Sequence, residues 1–285
     1  MSSQNWSDLH EVIKRCARRL PRPRRAFEYS DALICAMFFW TVWHDRPQCW
    51  ACKRDSYGRL FRPRKLPSVS EFNRRIRSER FATLLDEVYR AWAPLPQPGS
   101  QCVLDARPLV VGPCSKDRAA KAGRVYGGLA RGYRLHALVD ENGLVFAWKL
   151  TAMNVSEPTV GQELLAKAPT QITVRSDGVN DGAKLYETAA ARQITFLARP
   201  RRNAGKGHVP QSAARLRGIE QWNAAPAEHA RRRGMVERAF GWQSSFGGGL
   251  APLPAWVRTP ARVTRWVSAK LTICHVRRLS LKRTA

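Results

Sequence analysis

Between Asp8 and Leu20 the apolar residues Leu9, Val12, Ile13 and Ala17 return at the spacing of one helix face, and Pro21 and Pro23 then stop the helix. A second helix is predicted over residues 32–43, apolar on nearly every side and preceded by the capping candidate Ser30, so it demands burial between neighbours. A basic loop follows, with Arg54, Arg59, Arg62, Arg64 and Lys65 set among Pro47, Gly58 and Pro63. Ser68 and Ser70 then open a short helix over 71–76 carrying Arg74 and Arg75, with an amphipathic helix predicted over 81–92. The short basic helix reads either as the second helix of a helix-turn-helix or as a solvated face. Pro94, Pro96, Pro98 and Gly99 form a linker, which ends a helical first domain at residues 1–98.

Beyond the linker the period shortens. Extended segments are predicted at 101–104, 133–140, 144–152, 172–174 and 195–198, and the turn signal Glu141-Asn142-Gly143 pairs the second with the third as an antiparallel hairpin. Helices at 157–167 and 183–192 separate the later strands, so the fold class is α/β with a mixed sheet. A basic loop at 200–210 contains Arg201, Arg202, Gly205, Lys206 and Gly207. A helix over 230–245, the breaker Gly247-Gly248-Gly249 and a basic helix over 260–279 complete a second domain at 99–285.

The longest apolar run, residues 32–43, falls short of the roughly 20 residues that span a bilayer. The N-terminus, with Asp8 and Glu11, does not resemble a secretory signal. Seven cysteines at irregular spacing make a poor disulfide framework, and a cytoplasmic protein with no membrane partner is expected. Cys49 and Cys52 form a CxxC pair with only His44 nearby, open to reading as a metal site or as two thiols at a helix end.

Charge narrows the partner. Of the net charge of +27, residues 1–100 carry +9, 101–199 carry +4 and 200–285 carry +14. Basic flanks around a centre that keeps its acids suit a protein holding a polyanion over a carboxylate site. The same charge suits an RNA-binding protein, so it gives a partner class and not an activity. In the centre, Asp105 and Asp177 fall at the carboxyl ends of segments expected to share one sheet, where sites form in open α/β folds. Glu237 is one of three acids in the last third and lies four residues after Arg233, which explains it equally as an intrahelical ion pair. Three such carboxylates, if convergent, would hold two divalent ions about 4 Å apart for phosphodiester chemistry, and hard cations such as Mg²⁺ prefer these oxygen donors.

The order Asp105, then Asp177 in Ser-Asp-Gly-Val-Asn-Asp-Gly-Ala-Lys-Leu-Tyr, then Arg233-x3-Glu237, resembles the DDE transposases of bacterial insertion sequences. The strand text around His136, the segment from Phe196 to Asn203 and the stretch from Leu66 to Arg75 are also similar, so the resemblance spans roughly 30–280. It implies an RNase H-like catalytic core and a site of Asp105, Asp177 and Glu237 that binds two Mg²⁺ ions, with Mn²⁺ as a substitute. The implied activity is cleavage of the element's 3′ ends and strand transfer into target DNA. The implied partners are double-stranded DNA, both terminal inverted repeats and target, and a second copy in a dimeric DNA complex. Arg233, Arg238, Arg74, Arg75, Arg201 and Arg202 are the expected DNA contacts.

The chain departs from the family signature Tyr-x2-Arg-x3-Glu-x6-Lys. Ala230 stands at the Tyr position and Ser244 at the Lys position. Only 60 positions separate Asp177 from Glu237, which leaves no room for the large β insertion of some relatives. Asp181 is the competing second acid. His136 is expected to be a satisfied sheet histidine, Asn154 a helix cap, and Trp256 and Trp266 core residues rather than base-stacking ones. A DNA-binding derivative that no longer cuts is the alternative function.

Overall fold

The computed structural model describes residues 2–23, 26–201, 211–244, 250 and 253–284. Arg24, Arg25, Arg202 and the rest of the 202–210 loop, the Gly247-Gly248-Gly249 breaker and the Ser244 side chain lie outside the described residues. Two compact units form, residues 1–93 with 243–250 and 254–285, and residues 94–242 with 251–253.

In the first unit, helices α1 (Ser3–Arg19), α2 (Asp31–Trp43), α3 (Val69–Ile76) and α4 (Glu79–Trp92) start at Ser2, Ser30, Ser68 and Ser78. Each serine side chain accepts an amide hydrogen bond from the first turn, replacing a partner the helix cannot supply. As its all-round apolarity demands, α2 is buried from Ile34 to Val42. The predicted 260–279 helix is α10 (Pro260–Thr284), and it packs on α4, α1 and α2. It therefore joins the N-terminal helices rather than the domain with which the sequence reading grouped it. The physical reason is a run of buried residues, Val263, Trp266, Val267, Leu271 and Val276, that a lone helix cannot cover. Within it Lys270 is buried, ion-paired to Asp45 at 2.5 Å, with its ammonium 5.2 Å from the Trp266 ring. Trp266 is a core residue as expected, whereas Trp256 is exposed.

The second unit is a six-stranded mixed sheet with helices. Strands β1 (Gln101–Val110), β3 (Gly128–Val139) and β4 (Val145–Ala152) run antiparallel, and the predicted β3–β4 hairpin turns at Gly143, φ +76°. On its other side β1 pairs in parallel with β5 (Thr173–Ser176), and β5 with β6 (Thr195–Ala198). The order β4-β3-β1-β5-β6, with antiparallel pairing to one side of β1 and parallel to the other, is the RNase H-like arrangement. Helices α5 (Glu157–Lys167) and α6 (Ala183–Ala191) cover one face through Val160, Leu164, Leu165, Leu185 and Tyr186, packed on Leu104, Leu138 and Val174. Burying each such side chain contributes about 1.5–3 kcal/mol.

Three features escaped the sequence reading. Strand β2 (Lys121–Val125) pairs with the first half of β3. Helix α7 (Ala213–Ala224) follows the basic loop. The helix expected over 230–245 is two, α8 (Pro226–Arg233) and α9 (Met235–Ser244), divided at Gly234. Among the described residues no helix is long and apolar enough to cross a membrane.

Candidate carboxylate site

Asp105 lies in the middle of β1, not at its end as the sequence suggested, because β1 runs on past Pro108 to Val110. Its parallel partner β5 reaches only Val103 in the register, so β1 past that point is an edge, where proline is tolerated. Ser176 caps the junction by donating to the Leu104 carbonyl at 2.8 Å. The carboxyl end of β5 thus falls beside the middle of β1, which brings Asp105 and Asp177 to one corner.

At that corner burial pushes the Asp105 carboxyl up to about 6, reinforced by the charges of Asp177 and Glu157 and opposed by the Ala106 amide and Arg233. Asp177 caps the short helical turn Gly178–Asn180, accepting from the Val179 amide at 3.1 Å and the Asn180 side chain at 3.4 Å, both on Oδ1. Asp181, the competing acid, is buried and taken up in a two-bond pair with Arg215, both bonds 2.8 Å, while also accepting from the Arg201 amide. It fixes the loop that carries Asp177.

Glu237 reaches the corner through an arginine. Arg233 Nη1 lies 3.6 Å from Asp105 Oδ2, and its Nη2 lies 3.5 Å from Glu237 Oε1. The Glu237 side chain is 70% exposed, and among the described residues no three carboxylates, histidines or cysteines stand close enough to hold an ion as they are. The helices themselves are well fastened. Arg107, two residues along β1 from Asp105 and therefore on the same face, donates to the Phe240 carbonyl of α9 at 2.5 Å. Arg175 of β5 donates to His229 of α8 at 3.1 Å and to Gln101 at 2.6 Å, and the other ring nitrogen of His229 meets the Gln221 carbonyl of α7 at 3.1 Å.

Sequence reasoning missed Glu157, in the first turn of α5. Burial raises its carboxyl, Arg134 counters that with an ion pair at 2.5 Å, and the Asp177 charge raises it further. Its only sequence signal was an acid at the first position of the helix predicted over 157–167, five residues after the β4 segment ends. The N-cap of α5 is Ser156, so Asn154 does not cap this helix, a correction caused by the turn at 153–154 ending before it. His136 is buried against Thr151 at 3.0 Å, and burial depresses it to about 4, as a sheet histidine rather than an acid or base at neutral pH.

The expected DNA contacts divide. Arg75 is corrected: only 4% exposed, it is spent on Asp31 at 2.6 Å and the Tyr29 carbonyl, with its guanidinium 3.8 Å over the Phe27 ring. Arg201 binds the Gly178 and Val179 carbonyls at 2.8 and 2.7 Å, bracing the Asp177 loop. Arg74, paired with Glu71 at 2.7 Å, and Arg238 are exposed.

Donor chemistry at the corner fits a hard cation. Asp105 and Asp177 offer oxygens, their mutual repulsion is relieved by positive charge, and Arg233 supplies part of it. Glu237 would have to turn from Arg233 to join them.

No curated protein sequence matches the chain. A solved structure, the "piggyBac transposase synaptic complex with hairpin DNA", matches with a TM-score of 0.50 at 10% identity over 98% of this chain and 74% of the other, a likeness of fold. Residues 96–265, more than half of the chain, match the family model of the transposase DDE domain, and the chain belongs to that family.

Proposed function

We propose that the chain binds the terminal inverted repeats of a mobile element, cuts the element's 3′ ends and transfers them into target DNA, with Asp105, Asp177 and Glu237 as the catalytic carboxylates. The observation that carries this reading is the charge coupling of Asp105 and Asp177 at one corner of the sheet, with Arg233 linking Asp105 to Glu237. In the first step water attacks the phosphorus, the P–O3′ bond breaks, and the 3′ oxygen leaves with a proton. In the second, that 3′ hydroxyl attacks a target phosphodiester and loses its proton, so one phosphodiester forms as another breaks. The three carboxylates would hold Mg²⁺ or Mn²⁺, which supplies activation of the attacking oxygen and stabilisation of the leaving one. Arg233 and the exposed Arg238 would hold phosphates beside the acids, and Glu157 would keep negative charge at the corner. The piggyBac neighbour was solved with DNA; here the proposed partners are double-stranded DNA and, on it, a second copy of the chain.

The test is Mg²⁺- or Mn²⁺-dependent nicking of duplexes bearing the element's own ends, wild type against Asp105→Ala, Asp177→Ala, Glu237→Ala and Glu157→Gln. Cutting at the end by wild type, with the first three variants binding but losing at least about 100-fold in rate, is expected; Glu157→Gln should lose less. Binding without cutting under either metal would favour the non-cutting derivative instead, for which the exposure of Glu237 and Ala230 at the signature Tyr position speak. Preference for RNA with indifference to the acids would overturn both.

A further inference from the structure

β2 and the first half of β3 form a two-stranded ribbon in five-residue register, Lys121 opposite Gly132 through Val125 opposite Gly128. Its turn is Tyr126-Gly127, with Gly127 at φ +85°, a conformation glycine adopts without strain. Tyr126 at the tip is 106% exposed and Leu129 is 76% exposed, the two most exposed large apolar side chains among the described residues. Ordinary folding does not explain them, because Tyr126 is fully exposed and Leu129 leaves most of its surface in water.

The base of the ribbon is rigid. Arg131 donates to the carbonyls of Ala120, Ser115 and Asp117 at 2.8, 3.1 and 2.6 Å, and the Tyr133 hydroxyl donates to the buried Asp117 at 2.6 Å. Met153 packs so closely on Gly123 that a Cβ there would stand 2.5 Å from its side chain. Arg124 is exposed beside the tip, Lys121 and Arg118 are exposed toward the base, and Asp117, the one acid between residues 112 and 132, is buried. The ribbon is also tied to the carboxylate corner. Arg134 donates to the Arg124 carbonyl at 2.9 Å and to Glu157 at 2.5 Å, and Glu157, with Asp177, is one of the two acids whose charge acts on Asp105. Tyr126 lies two residues, about 7 Å of extended chain, beyond that anchored carbonyl.

We propose that this ribbon is a DNA-probing element: Tyr126, backed by Leu129, stacks on a base that has left the helix close to the phosphodiester at the carboxylates, while Arg124 holds the phosphate beside it and Lys121 and Arg118 hold phosphates further along the strand, toward the ribbon's base. The inference rests on the DNA-cutting reading above. An aromatic ring on a stiff, basic support matches the two demands of an unstacked nucleotide, a π-face for the base and positive charge for the backbone. A short two-residue tip on a pinned base also makes the contact at less entropy cost than a long loop that must be ordered.

The test uses the full chain, a 30-base-pair duplex carrying the element end, and the same duplex with one base near the cleavage position left unpaired opposite an abasic site, in Ca²⁺ to prevent cutting. Wild type should bind the unpaired-base duplex more tightly, Tyr126→Ala should lose that preference by about 5- to 100-fold, and Tyr126→Phe and Tyr126→Trp should keep it. Equal binding of the two duplexes by wild type, or Ala and Phe variants that behave alike, would overturn the proposal. Nicking in Mg²⁺ by the same proteins reports separately on the cutting reading. Wild-type cutting together with an unchanged base preference in Tyr126→Ala sinks the ribbon's role alone.

Discussion

Arg233 lies 3.6 Å from Asp105, at the corner where burial, reinforced by the charges of Asp177 and Glu157, pushes the Asp105 carboxyl toward its neutral form. A protein side chain thus supplies cationic charge at the point where the proposed chemistry needs a metal, and the same arginine stands between Asp105 and Glu237, in contact with both.

Removing that arginine should have opposite effects on metal and on DNA. In Arg233→Gln the carboxylates lose their internal competitor, so Mn²⁺ should bind the DNA-free protein about two- to five-fold more tightly, the range of a partly exposed ion pair. Binding to DNA ends should weaken through loss of a phosphate contact. Calorimetric Mn²⁺ titration checks the first effect; weaker metal binding in the variant would mean that Arg233 organises the carboxylates rather than competing for them.

The pH dependence of stability follows from Asp105 and His136, and the two signs differ. Asp105 sits at about 6, above its unfolded value near 3.9, so its contribution is most favourable below pH 4 and is lost as pH rises through 6. Asp105→Asn should therefore stabilise the metal-free protein at pH 7.5 by up to about 3 kcal/mol, with the gain vanishing toward pH 4. His136 sits at about 4, below its unfolded value of 6.5, so its stabilisation is present above pH 6.5 and is lost as pH falls toward 4. Urea unfolding of wild type, Asp105→Asn and His136→Gln at pH 4.5 and 7.5 measures both; a destabilised Asp105→Asn at pH 7.5 would contradict the burial argument.

Arg215 and Asp181 form a buried pair that holds the loop following Asp177. Arg215→Ala leaves a buried carboxylate without its counter-charge and should cost about 3–5 kcal/mol, whereas Arg215→Met with Asp181→Leu should recover much of that. Amide exchange at residues 177–181 should speed up in the single variant before global unfolding does. Unchanged exchange there would show that Arg201, which binds the Gly178 and Val179 carbonyls, holds the loop unaided.

Much of this protein was written locally. Serine caps, the apolar α2, the Glu141-Asn142-Gly143 turn and the alternation of strands with helices each follow from interactions within a few residues, so the α/β class and most elements were legible. Asp105, Asp177 and the Arg233–Glu237 spacing stood out as a candidate site because motif order survives in one dimension. Tertiary structure decided the rest, because it depends on surfaces meeting across long sequence separations. It extended β1 beyond Asp105 by pairing it with β3 as far as Val110 opposite Gly132, and it buried Arg75 against Asp31, 44 residues away. It packed α10 on the N-terminal helices, because its apolar residues needed a partner that the sequence does not name. It also brought Glu157 into the field of Asp105 and Asp177 and left Tyr126 bare at the end of a ribbon. Neither exposure nor a shared electrostatic environment is a property of a residue type; both arise only when the sheet has closed around its register.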